Sequence, residues 1–252
     1  MRLKCALALT CALSLPAASS QATVIKSFTG TVPVTLTEVK FEAAMTIAGD
    51  TLTITLKNDS QSLAPPASTL NPADLLTSFY FDIFNGTTRP TLTYTSAVGD
   101  VCLTDKNAAD DCSVVDKGAD LRAFVAGDNT WQFKQGIALT LGTDTLTFGI
   151  GTAGNNSLGV NGFNGSIVDG LDYGIYAGDI TTQNLDGDLL VKELATFTFS
   201  GLTGYTEADI VDEAVFGLGT QPDSTGLVPE PATASMLGLG LLALGALRRH
   251  RR

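Results

Sequence analysis

The chain has 252 residues, with 15 Lys and Arg against 26 Asp and Glu, a formal net charge of −11 and one histidine, His250. With no histidine before residue 250, Ser-His-Asp and Cys-His catalysis, His-ligated zinc and a histidine proton shuttle are excluded from the body of the chain. The acidic balance also argues against nucleic acid or anionic headgroups as partners.

Residues 1–22 read as a secretory signal peptide. Arg2 and Lys4 make the basic start, Cys5 to Leu15 the apolar run, and Pro16 breaks its helix. Ser20-Gln21-Ala22 supplies a small-x-small pattern, so signal peptidase is expected to cut between Ala22 and Thr23. Cys5 and Cys11 leave with the segment.

Residues 23–227 are the expected ectodomain, long enough to bury roughly 70% of its unfolded surface in one core. Hydrophobic alternation of period two recurs along it, with no convincing helical period. Strands are predicted at Val24–Phe28, Val32–Leu36, Val39–Ile47 and Thr51–Lys57, the last two forming a hairpin around Ala48-Gly49-Asp50. A proline-rich loop at Leu63–Pro72 precedes strands at Ser78–Phe84, Thr91–Ala97, Leu121–Val125 and Trp131–Lys134. Strands at Ile137–Leu141 and Thr145–Ile150 follow, then a long glycine- and asparagine-rich connection over Gly149–Gly165, expected to be mobile. The last strands are Leu171–Ala177, Leu189–Ser200 and Val211–Leu218, with one helical turn near Glu207–Asp209 capped by Thr206. Turn signals at Asn85-Gly86, Gly99-Asp100, Gly127-Asp128, Asn161-Gly162 and Asp186-Gly187 punctuate the series. Some eleven short strands predict an all-β fold: a single antiparallel β-sandwich, jelly-roll-like.

Two cysteines remain in the ectodomain, Cys102 and Cys112. In an oxidising exterior they are expected to form a disulfide around a short polar loop. Calcium is the one metal the composition suits, with Asp186 and Asp188 as its weak candidates. Asn184-Leu185-Asp186-Gly187-Asp188 begins like a calcium loop but lacks the acid twelve positions after its first ligand. Asp105, Asp110 and Asp111 cluster in the cysteine loop, an arrangement more typical of turns. No cofactor is expected.

The tail, 228–252, has three parts. Pro229-Glu230-Pro231 cannot continue a helix, because both prolines fix φ and remove a donor. Residues 232–247 carry no charge and as a helix span about 24 Å, a little short of a ~30 Å hydrocarbon core. Arg248, Arg249, Arg251 and Arg252 form a basic stop expected to stay cytoplasmic, which places the ectodomain outside. This order closely resembles the PEP-CTERM sorting signal of bacterial surface proteins. The resemblance implies recognition at Pro229, Glu230 and Pro231 by an exosortase-type membrane transpeptidase, with cleavage at or near the motif. An ordinary single-pass anchor is the competing reading. Phrases such as Leu52-Thr-Ile-Thr-Leu-Lys-Asn-Asp59 are similar to the β-rich ectodomains found before such tails. Removing Arg2, Lys4 and the four tail arginines leaves nine Lys and Arg, and removing Glu230 leaves 25 Asp and Glu, so the ectodomain carries −16.

No Gly-x-Ser-x-Gly elbow or phosphate-binding glycine loop stands in the chain, and no catalytic residue is assigned. The expected function is that of an exported, exosortase-processed structural protein without catalytic activity. Its place would be the surface or extracellular matrix of a Gram-negative bacterium, with extracellular polysaccharide as a partner and the inner membrane as a transient one. A carbohydrate-binding module is the first alternative, with Trp131 and Phe133 on one face, although a lone Trp in a sandwich is more often core. A two-carboxylate glycoside hydrolase using Glu193, Glu207 or Glu213 is the second.

Overall fold

The computed structural model describes residues 26–34, 37–62, 75–105, 112–122, 131–141, 144–152, 173–177 and 187–219. The signal peptide, the tail, the loop predicted at 63–72 and residues 153–165 of the connection predicted at 149–165 lie outside them, whereas residues 149–151 at its start belong to a strand.

The described residues form twelve strands in one sheet: β1 Lys26–Val34, β2 Thr37–Ala48, β3 Thr51–Asn58, β4 Gln61–Ser62, β5 Leu76–Phe81, β6 Thr93–Thr104, β7 Cys112–Asp120, β8 Gln132–Leu141, β9 Asp144–Gly151, β10 Ile175–Tyr176, β11 Leu189–Ser200 and β12 Val215–Leu218. The main path runs β1-β2-β3-β11-β10-β5-β9-β8, with β12 on β5, β4 on β2, and β6 on β11 carrying β7 outside it. The all-β expectation holds, but the sheet is open and mixed. β10 runs parallel to β11 through Ile175↔Val191 and Tyr176↔Lys192, which corrects the purely antiparallel arrangement. A two-residue strand has too little alternation to announce its direction in sequence.

The β2–β3 hairpin turns at Gly49-Asp50, with Gly49 at φ 62, a left-handed conformation that costs glycine nothing. On β3 the side chains alternate strictly: Leu52, Ile54 and Leu56 are fully buried, while Thr51, Thr53 and Thr55 are part-exposed. β11 repeats the pattern, with Ala195, Phe197 and Phe199 inside and Thr196, Thr198 and Ser200 outside.

Register aligns these outer residues in rows across β2, β3, β11 and β6. One row is Ala48, Thr51, Ser200 and Thr93; the next is Thr46, Thr53, Thr198 and Ser96; the third is Ala44, Thr55, Thr196 and Val98.

Aromatic rings fill the inner side and join strands that share no hydrogen bonds. Phe133 of β8 meets Phe199 of β11 at 4.9 Å, and Phe41 of β2 meets Phe216 of β12 at 5.9 Å. Such pairs contribute ~0.5–1.5 kcal/mol beyond their buried area. Trp131 belongs here too: it is 1% exposed, packs on Phe197 at 4.9 Å and donates Nε1–H to the Tyr173 carbonyl at 2.7 Å.

Several sequence boundaries move. The first two predicted strands are one, β1, because Thr29-Gly30-Thr31 pairs straight through with Lys40, Phe41 and Glu42. Gly99-Asp100 is no turn but a bulged part of β6, and β8 runs through Gly136 by a similar irregularity. β7 has no predicted counterpart; of the strand predicted at Leu121–Val125 only Leu121 and Arg122 are described, in a turn just beyond β7's end. β12 starts at Val215, later than predicted, because the backbone before it serves other contacts: Val211 N–H donates to the Asp82 carbonyl. The predicted helical turn is a short 3-10 turn at Glu207–Asp209, where Asp209 accepts from the Thr206 backbone N–H at 2.8 Å.

Candidate functional site

The predicted cysteines meet. Cys102 of β6 and Cys112 of β7 form a disulfide with Cα atoms 5.3 Å apart, both buried with Leu75, Tyr176, Ala177 and Leu190. Beside it, Thr104 and Asp188 hold the turn before β11: the Thr104 N–H and Oγ1–H donate to the Asp188 carbonyl at 3.0 and 3.1 Å, and the Asp188 N–H returns a bond to Thr104 Oγ1 at 2.9 Å. Asp188 thus closes a turn through its backbone, while Asp186, its calcium partner by sequence, lies outside the described residues. Among the described residues no group of three or more His, Cys, Asp or Glu side chains is placed to hold a metal.

The three glutamates occupy separate elements. Glu207, on the 3-10 turn, accepts the Ile47 N–H at 3.2 Å. Glu213 precedes β12. Glu193 sits inside β11 at φ 63, the left-handed region that side-chain-bearing residues rarely occupy. Its neighbours explain why. Val191 pairs with Val101 and Ala195 with Gly99, so Lys192, Glu193 and Leu194 together oppose the single residue Asp100. On the other side of β6, Val101 pairs with Asp116 and Gly99 with Ala119, which leaves Lys117 and Gly118 opposite Asp100 as well. Both neighbours of β6 therefore bulge at one level.

Asp100 fills the gap by accepting the Gly118 N–H at 2.8 Å. Gly99 is needed because the strands close up there: a Cβ would lie 2.8 Å from Val191 Cγ1 and 3.3 Å from the Leu194 carbonyl oxygen. The result is an open cleft of about 450 Å³ lined by Val98, Gly99, Asp100, Lys192, Glu193, Leu194 and Thr196. Its signal in sequence is a break of phase: Leu189, Leu190 and Val191 run consecutively before alternation resumes at Ala195.

A second ordered surface feature is the Asp82–Arg89 loop. Asp82 is 2% exposed and takes Arg89 Nε at 3.0 Å and Nη2 at 2.8 Å, and the Arg89 guanidinium also lies 4.8 Å over the Phe84 ring. Its hydrogen bonds to the Asp82 carboxylate hold Arg89 above its ordinary pKa.

Residues 227–252 match the family model of the PEP-CTERM protein-sorting motif. The chain thus carries a PEP-CTERM sorting motif, and that motif implies export, targeting to an exosortase in the membrane and a membrane-anchoring sorting region. No curated protein matches the chain. Among solved structures it is similar to the KRT10-binding region domain of the pneumococcal serine rich repeat protein PsrP, at 16% identity over 77% of this chain and 84% of that one, with a TM-score of 0.23. A score at that level carries no argument about this chain. The sorting motif itself, Pro229, Glu230 and Pro231, lies outside the described residues, as do Ala22, Thr23 and the four tail arginines.

Proposed function

We propose that the protein is a non-catalytic structural component of the extracellular matrix or cell surface of a Gram-negative bacterium, released from the inner membrane by exosortase processing at Pro229-Glu230-Pro231. The observation that carries this reading is the sorting motif at 227–252 behind a body whose described elements are strands and one short 3-10 turn. A buried disulfide within that body suits an oxidising exterior. We read the architecture as a sandwich, since rings of β8 and β12 pack on rings of β11 and β2 without sharing hydrogen bonds. Glu193, Glu207 and Glu213, the candidates of the two-carboxylate alternative, stand on a bulge, a 3-10 turn and the approach to a strand.

Intact mass and cell fractionation test the proposal on wild type and a Pro229→Ala, Glu230→Ala, Pro231→Ala variant. The expected wild-type product begins near Thr23, lacks the tail and lies outside the cell, while the variant stays full-length in the inner membrane. Wild type that keeps Arg252 in the membrane would identify a plain anchor and end the matrix reading.

A further inference from the structure

The described residues include two asparagines, Asn58 and Asn85, in opposite settings. Asn58 is 2% exposed, and its Nδ2–H donates to the Ile175 carbonyl at 2.9 Å. Asn85 stands in the loop between β5 and β6, within an exposed run from Phe84 to Arg89. Its Oδ1 accepts the Thr87 N–H at 3.0 Å and the Thr88 N–H at 2.8 Å, two donors that fix which end of the amide is oxygen. Neither its Nδ2 nor the following Gly86 N–H donates to any described residue. Gly86 lies at φ 86, and a Cβ there would meet nothing within 4 Å, so the tip is open to water.

We propose that Asn85-Gly86 is a self-modification site, where the folded chain converts its own asparagine to an acid with water as the only reagent. Hydroxide takes the Gly86 amide proton, the Gly86 nitrogen attacks Asn85 Cγ, and an oxyanion develops on Oδ1. Collapse breaks the Cγ–Nδ2 bond; Nδ2 takes up a proton and leaves as ammonia, and a cyclic imide remains. Water then opens the ring at Cγ to give aspartate, or at the backbone carbonyl to give isoaspartate. Glycine hinders the attacking nitrogen least, because it has no Cβ. The Thr87 and Thr88 N–H groups already point at the oxygen on which charge develops, the arrangement that stabilises an oxyanion. The same donors bias the product. They polarise the Cγ carbonyl and would hold a new carboxylate by charge-assisted bonds, which shifts ring opening toward aspartate. Isoaspartate adds a methylene to the main chain of a turn closed by the Asn85 N–H to Thr88 carbonyl bond at 3.3 Å, and Thr88 Oγ1 meets the Tyr205 hydroxyl at 3.0 Å.

The test is incubation of the natively processed protein in mildly alkaline buffer, folded and in denaturant. A protease that cuts before aspartate but not before isoaspartate then releases residues 82–99, in which Asn85 is the one asparagine, and each product is read by mass. Folded wild type is expected to gain the acid at position 85 while Asn58 keeps its amide. Its ratio of isoaspartate to aspartate should be at least about threefold below that of the unfolded chain, the size of effect one ordinary hydrogen bond carries. Gly86→Ala should slow the conversion about tenfold or more by crowding the attacking nitrogen. Should that variant misfold, wild type alone decides. A folded protein that keeps its amide at position 85 while the unfolded chain loses it would overturn the proposal. So would equal isoaspartate ratios in the two states, equal conversion at Asn58 and Asn85 in the folded protein, or an unslowed, folded Gly86→Ala variant.

Discussion

The two halves of β11 solve different problems with one strand. From Ala195 to Ser200 it pairs residue for residue with β3, and with β6 apart from one irregularity after Thr198; alternation is strict, and the outer side chains fall into rows. In the first half Leu189, Leu190 and Val191 pair with β6, but at Lys192–Leu194 that pairing breaks, Glu193 takes a left-handed conformation, and a cleft opens. The regular half is held by its pattern alone, through Phe197 and Phe199 in the core. The irregular half needs ties: the Cys102–Cys112 bond, opposite Leu190, and the Thr104–Asp188 bonds at its entry. A periodic strand is self-specifying, whereas a bulged one is held by contacts distant in sequence.

The strongest way to break this contrast is to remove the disulfide. Cys102→Ser, Cys112→Ser should cost about 2–4 kcal/mol in chemical denaturation. Amide exchange should rise at Leu189–Val191 and stay nearly unchanged at Thr196–Ser200. Equal loss of protection in both halves would show that the ties do not act locally.

A smaller effect of opposite sign is expected at Glu193. Glu193→Gly should raise stability by up to about 1 kcal/mol, because relief of a left-handed residue, roughly 1–3 kcal/mol, is partly offset by glycine's larger unfolded entropy. The same change at Thr198 should lower stability by about 1 kcal/mol, since a regular strand position gains nothing from glycine. Destabilisation at both sites would mean that Glu193 makes contacts worth more than its strain.

The smallest effect is electrostatic and belongs to the regular side of the sheet. A hydrogen bond from Lys57, with a second from Lys40, holds the Asp59 carboxyl below its ordinary value of 3.8. A depressed folded pKa means stability that is present above 3.8 and lost as pH falls through the lower folded value. Asp59→Asn should therefore flatten the acid limb of a stability–pH curve slightly, with little change at pH 7, because exposed pairs contribute only about 0–1 kcal/mol. An unaltered acid limb would assign that limb to other carboxylates, such as Asp120 beside Arg122, which is lowered in the same way.

How much was legible depended on periodicity. The β2–β3 hairpin and β11 stand in the sequence almost as they stand in the fold, because Leu52-Thr-Ile-Thr-Leu and Ala195-Thr-Phe-Thr-Phe alternate without exception. β7 did not, since Asp116-Lys117-Gly118 interrupts any apolar alternation; an outermost strand whose side chains are mostly exposed needs no apolar pattern, and charges with bulges blunt its edge. The Lys192–Leu194 bulge left only a slipped phase as its trace.

The sequence by itself determined the sorting tail, the all-β class and which face of each regular strand is apolar, because these are local matters of composition and period. Only the tertiary structure decided that β10 runs parallel to β11, that Trp131 is core, that two bulges meet at Asp100, and that threonines from separate strands share rows. Those outcomes depend on which strands become neighbours and in what register, and pairing between residues a hundred positions apart leaves no mark in a local pattern.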